Sequence, residues 1–408
     1  MKQGKAPSDR LAVSKFKLNS LLDITMSINA NLPTGELLSK YENILRKHLS
    51  IGKILIFMRS STWECLLNGG FPEELEKMNV EERLSGLTEV LTSAYSEGFE
   101  GVEIIIPVFN NKVCLAYIFI GDIEEEGEGM SPVIKHLAFI QTISSIIIVA
   151  VENIRLFKES LLQEAMKKEL ELAARMQKML IPDPEHMPKD PKIKISGIYF
   201  PHYEVGGDYY DCIKLSGPKT GFCIADVSGK GIAAAILMSN FQASFRALFT
   251  SDIALDALVL KLNTIVSLNA AGEKFITFFV ARYDRESGVL EYVNAAHNPP
   301  VLYDTVTGEV THLKASCVGL GMLDEIPYVK QSEILISNYS KIVCYTDGLS
   351  ELKGDDGKEI GTGVIIRHIA NNLPVEENIS AMMNELGLPH NNPGTFDDVS
   401  VIAADLAN

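Results

Sequence analysis

Four short acidic segments, each beside a predicted β-strand, constrain the fold of this chain more tightly than any other feature. Aspartates lie at the end of two predicted strands, Phe222–Asp226 and Ile342–Tyr345, or just beyond it. Two further predicted strands, Tyr209–Leu215 and Val399–Leu406, begin just after an aspartate. Because antiparallel strands run in opposite directions, two strand ends and two strand starts can share one edge of the sheets. We therefore expect four carboxylates to meet there: Asp208, Asp226, Asp347 and Asp397.

A cluster of four carboxylates requires neutralising cations, because like charges in one site repel each other. Carboxylate oxygens suit hard divalent ions such as Mg²⁺ or Mn²⁺. About two such ions would balance four negative charges. The cluster therefore predicts a metal centre with hydrolytic chemistry.

Taken in order and with their strand context, the four segments resemble the SpoIIE-type branch of the metal-dependent serine/threonine phosphatases, in the protein phosphatase 2C superfamily. The resemblance runs from about residue 169 to the C-terminus. It implies an α+β fold in which residues 185–408 form a four-layer α-β-β-α sandwich, and it implies a phosphoric monoester hydrolase. The segments that carry it are Gly206–Asp211, Ala225–Gly231, Tyr345–Gly348 and Thr395–Val399.

The resemblance also implies a role for each acidic residue. Asp226 would bridge two Mn²⁺ or Mg²⁺ ions, and the carbonyl of Val227 would be a further ligand. Asp208 would hold one ion, directly or through bound waters, and Asp347 and Asp397 would hold the other. Asp208 and Asp226 are thus the expected catalytic residues, with a metal-bridged hydroxide attacking phosphorus in line. Three positions stay open as alternative ligands or as supports of the ligands: Gly207, Asp211 and Asp398. For Asp211 the simpler interpretation is an exposed strand residue.

Two features depart from the wider superfamily. Ser228 stands where eukaryotic relatives carry a histidine proposed to protonate the leaving group. No arginine lies just upstream of Gly206 to grip the phosphate, and the nearby cations are Lys230 and His202.

The segment Asn294–Pro300 resembles the Asn-Ala-Gly-His-Asn-Pro turn of the same family, with Ala296 in place of the usual glycine. If this position needs a positive φ, alanine costs about 1 kcal/mol. His297 either faces the site or, as we favour, supports the turn.

The resemblance suggests a substrate class, phosphoserine or phosphothreonine on a STAS-domain anti-sigma-factor antagonist. Two alternatives stay open: a catalytically weak scaffold that acts by binding a partner, and a small-molecule phosphatase. A nucleotidyl cyclase is disfavoured, because Tyr209 and Tyr210 follow Asp208 where a Glu-Phe pair would stand.

The N-terminal half resembles a GAF domain over residues 17–153, with an antiparallel sheet flanked by helices. Asn110 and Asn111 separate two predicted strands and indicate a hairpin. Residues 1–16 are expected to be a disordered arm. The GAF-like domain would act as a sensor or a dimerisation module.

Residues 154–184 predict a helical linker, because apolar residues recur there at spacings of three and four. We favour a coiled-coil-like seam in a homodimer over a helix packed on its own chain. The linker would transmit regulation from the GAF-like domain to the catalytic one.

The net charge of −16 argues against nucleic acid and anionic membrane surfaces as partners. The apolar stretch Leu137–Val151 is shorter than the roughly 20 residues that a membrane span needs, which favours a buried helix. Six cysteines without a Cys-x-x-Cys pair indicate reduced thiols. We therefore expect a cytoplasmic protein.

Overall fold

The computed structural model describes residues 7–92, 99–123, 132–183, 187–202, 205–354, 357–388 and 397–407. The chain divides into two units, residues 1–164 and 165–408. One helix, α5, runs from the first unit into the second.

The first unit is an antiparallel sheet with flanking helices. Its helices are α1 (Pro7–Asn29), α2 (Thr34–Leu49), α3 (Glu73–Glu76), α4 (Val80–Leu84) and the start of α5 (Pro132–Lys178). Its strands are β1 (Ile51–Arg59), β2 (Trp63–Gly69), β3 (Leu91–Thr92), β4 (Ile104–Asn110) and β5 (Val113–Ile123). They lie in the order β2-β1-β5-β4-β3. The predicted antiparallel sheet is confirmed, and so is the hairpin, whose Asn111 has φ 55°. The GAF assignment remains a prediction.

One face of this sheet is covered by α1, α2 and α5. The inward residues of α5 include Ile140, Ile143 and Ile147, all fully buried in this core. The hydroxyl groups of Tyr41 and Ser144 join α2 to α5 at 2.6 Å. Among the described residues, the helical stretch 136–178 has the length and hydropathy of a membrane span, but half of its most apolar window is buried. The predicted buried helix at Leu137–Val151 therefore agrees with the packing.

Two expectations for the helices are corrected. Residues 1–6 of the expected disordered arm lie outside the described residues, and residues 7–16 are helical, because α1 begins at Pro7. Proline suits the first turn of a helix. The rings of Phe16 and His48 lie against each other, tilted by 37°, with their centroids 4.3 Å apart. No separate linker helix starts at residue 154, since α5 continues without a break to Lys178. No glycine or proline interrupts this stretch after Pro132.

The second unit contains two antiparallel sheets. The five-stranded sheet has the order β14-β11-β10-β9-β8, and the six-stranded sheet has the order β13-β12-β15-β16-β7-β6. The strands are β6 (Lys189–Asp190), β7 (Ile193–Phe200), β8 (Tyr209–Lys214), β9 (Lys219–Val227), β10 (Ile276–Asp284), β11 (Val289–Ala295), β12 (Val301–Asp304), β13 (Val310–His312), β14 (Ser332–Leu335), β15 (Ser340–Tyr345) and β16 (Val399–Leu406). The helices are α6 (Ile232–Leu248), α7 (Leu255–Ala270), α8 (Asp347–Ser350), α9 (Gly363–Ile369) and α10 (Val375–Glu385).

These elements form the expected four layers. Helices α6 and α7 pack on the five-stranded sheet, and α9 and α10 pack on the six-stranded sheet. Strand β16 is buried at every position because it is covered on both faces. The side chains of Leu237, Phe241 and Phe245 lie on one face of α6, as their spacing of four predicts, and this face packs on the core. The predicted α-β-β-α sandwich is confirmed.

Candidate metal centre

The structure brings the four aspartates to one edge of the two sheets. Tyr209 pairs with Ala225, so Asp208 lies across from Asp226 at the start of β8 and near the end of β9. Asp347 is the first residue of α8, just after β15, and Asp397 lies two residues before β16. Strands β15 and β16 are neighbours. The antiparallel pairing thus places two strand ends beside two strand starts, as the sequence indicates.

The buried Asp208 and the half-buried Asp226 form the centre of this cluster. Burial, followed by the charges of Asp226 and Asp398, raises the pKa of Asp208 well above its usual range. Burial and the charges of Asp347, Asp397 and Asp398 raise the pKa of Asp226 to about 7. Asp208 is only 2% exposed, so water screens this repulsion weakly. The two carboxyl groups therefore favour a bound proton or a bound cation.

The outer part of the cluster already contains one cation. The ammonium group of Lys230 lies 2.9 Å from Oδ2 of Asp397, and both side chains are 41% exposed. Burial and the charge of Asp397 raise the pKa of Asp347, while Lys230 opposes that shift. Lys230 therefore neutralises part of the charge that the cluster carries.

Asp398 holds the backbone beside the cluster. Its Oδ1 accepts the His202 N–H group and its Oδ2 accepts the Gly207 N–H group, each at 2.8 Å. A Cβ atom at Gly206 would overlap the side chains of Asp398 and Tyr199, so glycine is required there. Both oxygens of Asp398 are thus engaged with the loop before Asp208. Gly207, in turn, has the Val227 carbonyl beside the place that a side chain would take.

Asp211 is not the exposed strand residue that the simpler interpretation expects. Its carboxylate is fully buried and accepts two hydrogen bonds from Arg246 of α6, at 2.6 and 2.9 Å. The Tyr209 hydroxyl also donates to it. Asp211 therefore faces α6, where this ion pair joins the helix to β8.

The turn at Asn294–Pro300 connects β11 to β12. Ala296 has φ 53°, the positive value at which alanine is strained. His297 is 4% exposed, and its Nδ1 lies 2.8 Å from the Thr277 hydroxyl, on the residue that pairs with Asp226. Burial lowers the pKa of His297 to about 4. His297 is therefore neutral near pH 7, in agreement with a role in supporting the turn.

The donor chemistry of the cluster fits hard divalent ions, because it consists of carboxylate oxygens. Within the described ranges, however, no three His, Cys, Asp or Glu side chains converge closely enough to hold a metal ion as they stand. Oδ2 of Asp397 pairs with Lys230 in this arrangement, so a metal ion bound at that oxygen would displace the ammonium group.

Comparison with known proteins finds relatives of the second unit. Residues 216–407 match the family model of stage II sporulation protein E (SpoIIE). These residues form a SpoIIE-type domain. The chain is 30% identical over 196 residues to phosphoserine phosphatase RsbU of Bacillus subtilis, covering 48% of this chain and 57% of that protein. It is 23% identical over 263 residues to protein IcfG of Synechocystis sp., covering 58% of this chain and 41% of that protein. The chain thus spans about half the length of these curated relatives.

A solved structure shows the same fold. The SiaA-PP2C domain of Pseudomonas aeruginosa superposes with a TM-score of 0.51 at 18% identity, covering 60% of this chain and 98% of that domain. The predicted recognition of a SpoIIE-type, protein phosphatase 2C-like domain is therefore confirmed.

Sequence reasoning missed two residues that support Asp208 and the loop before it. The Thr346 hydroxyl donates to Oδ2 of Asp208 at 2.8 Å. The side-chain amide of Gln177 contacts the backbone of Gly206. Thr346 lies directly before Asp347 in an acidic segment, which is the one signal that could have identified it. Gln177 carries no comparable signal.

Proposed function

We propose that this chain is a metal-dependent protein serine/threonine phosphatase. The observation that carries the proposal is the pair of the buried Asp208 and the half-buried Asp226, in which the pKa of Asp226 is raised to about 7. Such a pair is stabilised when cations bind between the carboxylates. The SpoIIE-type domain and the similarity to a phosphoserine phosphatase support the same chemistry.

Each aspartate takes a role in this proposal. Asp226 and the Val227 carbonyl bind at the centre, Asp208 binds on one side, and Asp347 and Asp397 bind on the other. Two Mn²⁺ or Mg²⁺ ions, when bound, would activate water for attack on phosphorus and neutralise charge on the phosphoryl oxygens. Lys230, once separated from Asp397, would be a cation beside the cluster that can pair with the incoming phosphoryl group. The Ser228 hydroxyl accepts the Phe275 N–H group at 2.9 Å, which fixes the turn after Asp226.

The proposed substrate is phosphoserine or phosphothreonine on a STAS-domain anti-sigma-factor antagonist. The similarity to RsbU supports a phosphoprotein substrate. The chain carries a net charge of −16, so a phosphorylated partner is repelled unless the carboxylate cluster is neutralised. Substrate recognition would then come from docking of the partner protein.

The proposed regulation runs from the first unit through α5, in a cytoplasmic homodimer. Exposed apolar side chains of α5 form two pairs beyond residue 154, with the members of each pair four residues apart. They are Phe157, Leu161, Leu172 and Met176, between 49% and 65% exposed. An apolar stripe with this spacing favours a helix seam between two copies of the chain. The GAF-like unit would supply the signal.

Hydrolysis of a phosphorylated STAS-domain protein, compared with phosphorylated metabolites at equal concentration, tests the substrate class. We expect Mn²⁺-dependent phosphate release from the phosphoprotein at a kcat/KM at least about a hundredfold higher than from metabolites. Preference for a metabolite would favour a small-molecule phosphatase. Binding of the partner without any phosphate release would favour the scaffold.

A further inference from the structure

The side chain of Gln177 makes two hydrogen bonds to the backbone of a single residue, Gly206. Its Nε2 group donates to the Gly206 carbonyl at 2.5 Å, and its Oε1 atom accepts the Gly206 N–H group at 3.1 Å. Gln177 is 6% exposed, so water competes weakly for these bonds. An amide that uses both of its polar groups on one backbone residue fixes the position and the orientation of that residue.

The residue that Gln177 holds lies two positions before Asp208 in the same loop. The next residue, Gly207, donates its N–H group to Asp398 at 2.8 Å. Asp208 itself accepts from the Thr346 hydroxyl at 2.8 Å. Three consecutive residues are thus held by side chains from three separate parts of the chain. Gln177 supplies the first of these contacts.

Gln177 lies in the last turn of α5, the 47-residue helix Pro132–Lys178. The Leu180 N–H group donates to the Gln177 carbonyl at 2.9 Å and so closes the turn that follows the helix. Ile181, which is 7% exposed, then packs in the core of the second unit. The helix that begins within residues 1–164 therefore ends on the loop that carries Asp208.

We propose that Gln177 is a positioning residue for metal binding. It holds the loop Gly206–Asp208 against the end of α5, so that the affinity for a divalent ion at Asp208 depends on where that helix ends. The proposal rests on the proposed function, since it requires an ion at Asp208. A neutral amide suits this place because it both donates and accepts, whereas a glutamate would only accept and would add negative charge beside the cluster.

Calorimetric titration of the full chain with Mn²⁺ tests the proposal. Gln177→Leu is compared with Gln163→Leu, the same change at an exposed position of the same helix. Loss of a residue that orients a ligand typically weakens metal affinity by about tenfold or more, and we expect a rise in Kd of that size for Gln177→Leu alone. Turnover of the phosphoprotein should recover at saturating Mn²⁺. Equal Kd values for the two variants would overturn the proposal.

Hydrogen exchange of the metal-free, unsubstituted chain supplies a measurement that depends on no variant. We expect the Gly206 N–H group to be protected, and to exchange faster in Gln177→Leu than in Gln163→Leu. Unprotected exchange at Gly206 in the unsubstituted chain would overturn the proposal even if Gln177→Leu failed to fold. An unsubstituted chain that binds no Mn²⁺ would contradict the proposed function, and the proposal with it. Normal binding with equal Kd values would contradict the proposal alone.

Discussion

The hydroxyl group of Thr346 donates a 2.8 Å hydrogen bond to Oδ2 of Asp208, across 138 residues of sequence. The same hydroxyl accepts the Ser400 N–H group at 2.9 Å. Thr346 therefore joins β8, β15 and β16 at the edge where the aspartates meet. Its position directly before Asp347 means that one short segment supplies both a candidate ligand and the group that orients another.

Replacing Thr346 by valine should weaken metal binding at Asp208. The change keeps the shape of the side chain but removes the donor, and we expect the Kd for Mn²⁺ to rise by about tenfold. Thr346→Ser retains the hydroxyl and is the matched control. Mn²⁺ affinity is measured by calorimetric titration. A valine variant with the affinity of the serine variant would show that this hydrogen bond does not orient Asp208.

The raised pKa of Asp226 predicts how stability depends on pH when no metal is bound. The carboxyl has a pKa of about 7 in the folded chain against 3.8 as its ordinary value. Between about pH 4 and pH 7 the folded state therefore binds more protons than the unfolded state does. The free energy of unfolding falls as the pH rises through this range. Asp226→Asn removes this titration and should be more stable than the unsubstituted chain at pH 8 by about 1 to 3 kcal/mol. Calorimetric unfolding in EDTA at pH 5 and pH 8 measures the difference.

Asp252→Asn, an exposed carboxylate change in the same unit, controls for the loss of one charge from an acidic protein. If Asp226→Asn and Asp252→Asn showed the same change in stability between the two pH values, Asp226 would not be the group that titrates.

The contact between Lys230 and Asp397 predicts competition with the metal. Lys230→Met removes the ammonium group that pairs with Asp397 at 2.9 Å. Because an exposed ion pair contributes at most about 1 kcal/mol, we expect Mn²⁺ to bind about two- to fivefold more tightly. Lys214→Met, at an exposed position on β8, is the control. Unchanged or weaker Mn²⁺ binding in Lys230→Met would mean that Asp397 is not released to the metal.

The ion pair of Asp211 with Arg246 predicts a structural rather than a metal-supporting role for Asp211. Asp211→Asn leaves Arg246 without its buried partner and should reduce the free energy of unfolding by about 1 to 3 kcal/mol. The Kd for Mn²⁺ should stay within about twofold, since the carboxylate faces α6. Arg246→Met and the double variant complete the cycle. A large rise in Kd with little loss of stability would instead assign Asp211 to the support of the ligands.

The meeting of the four aspartates could be predicted because it depends on local signals. Each aspartate lies beside a run of apolar residues that reads as a strand, and antiparallel pairing then limits where the strand ends can lie. The Asn110-Asn111 hairpin and the apolar stripe of α6 follow from similarly short patterns. Short-range patterns were thus enough for single elements and for the shared strand edge, whereas the four layers were predicted from the resemblance to the SpoIIE-type phosphatases.

The contacts that could not be predicted join residues far apart in sequence. Asp211 is buried because Arg246, 35 residues later, reaches it from α6. Gln177 contacts Gly206 across 29 residues. The pairing of Lys230 with Asp397 likewise depends on the folded turn after β9. No periodicity or spacing encodes such pairs, since each depends on how finished elements pack.

Mn²⁺-dependent hydrolysis of a phosphoserine peptide by the unsubstituted chain and by Asp226→Asn tests the central claim most directly. Asp226 lies at the centre of the cluster, and its loss should reduce kcat/KM by at least about a hundredfold. Calorimetric titration should show Mn²⁺ binding that the variant loses, while its fold in EDTA is preserved. Hydrolysis that survives Asp226→Asn, or that proceeds equally in EDTA, would contradict the assignment of this carboxylate cluster as a metal-dependent phosphatase centre.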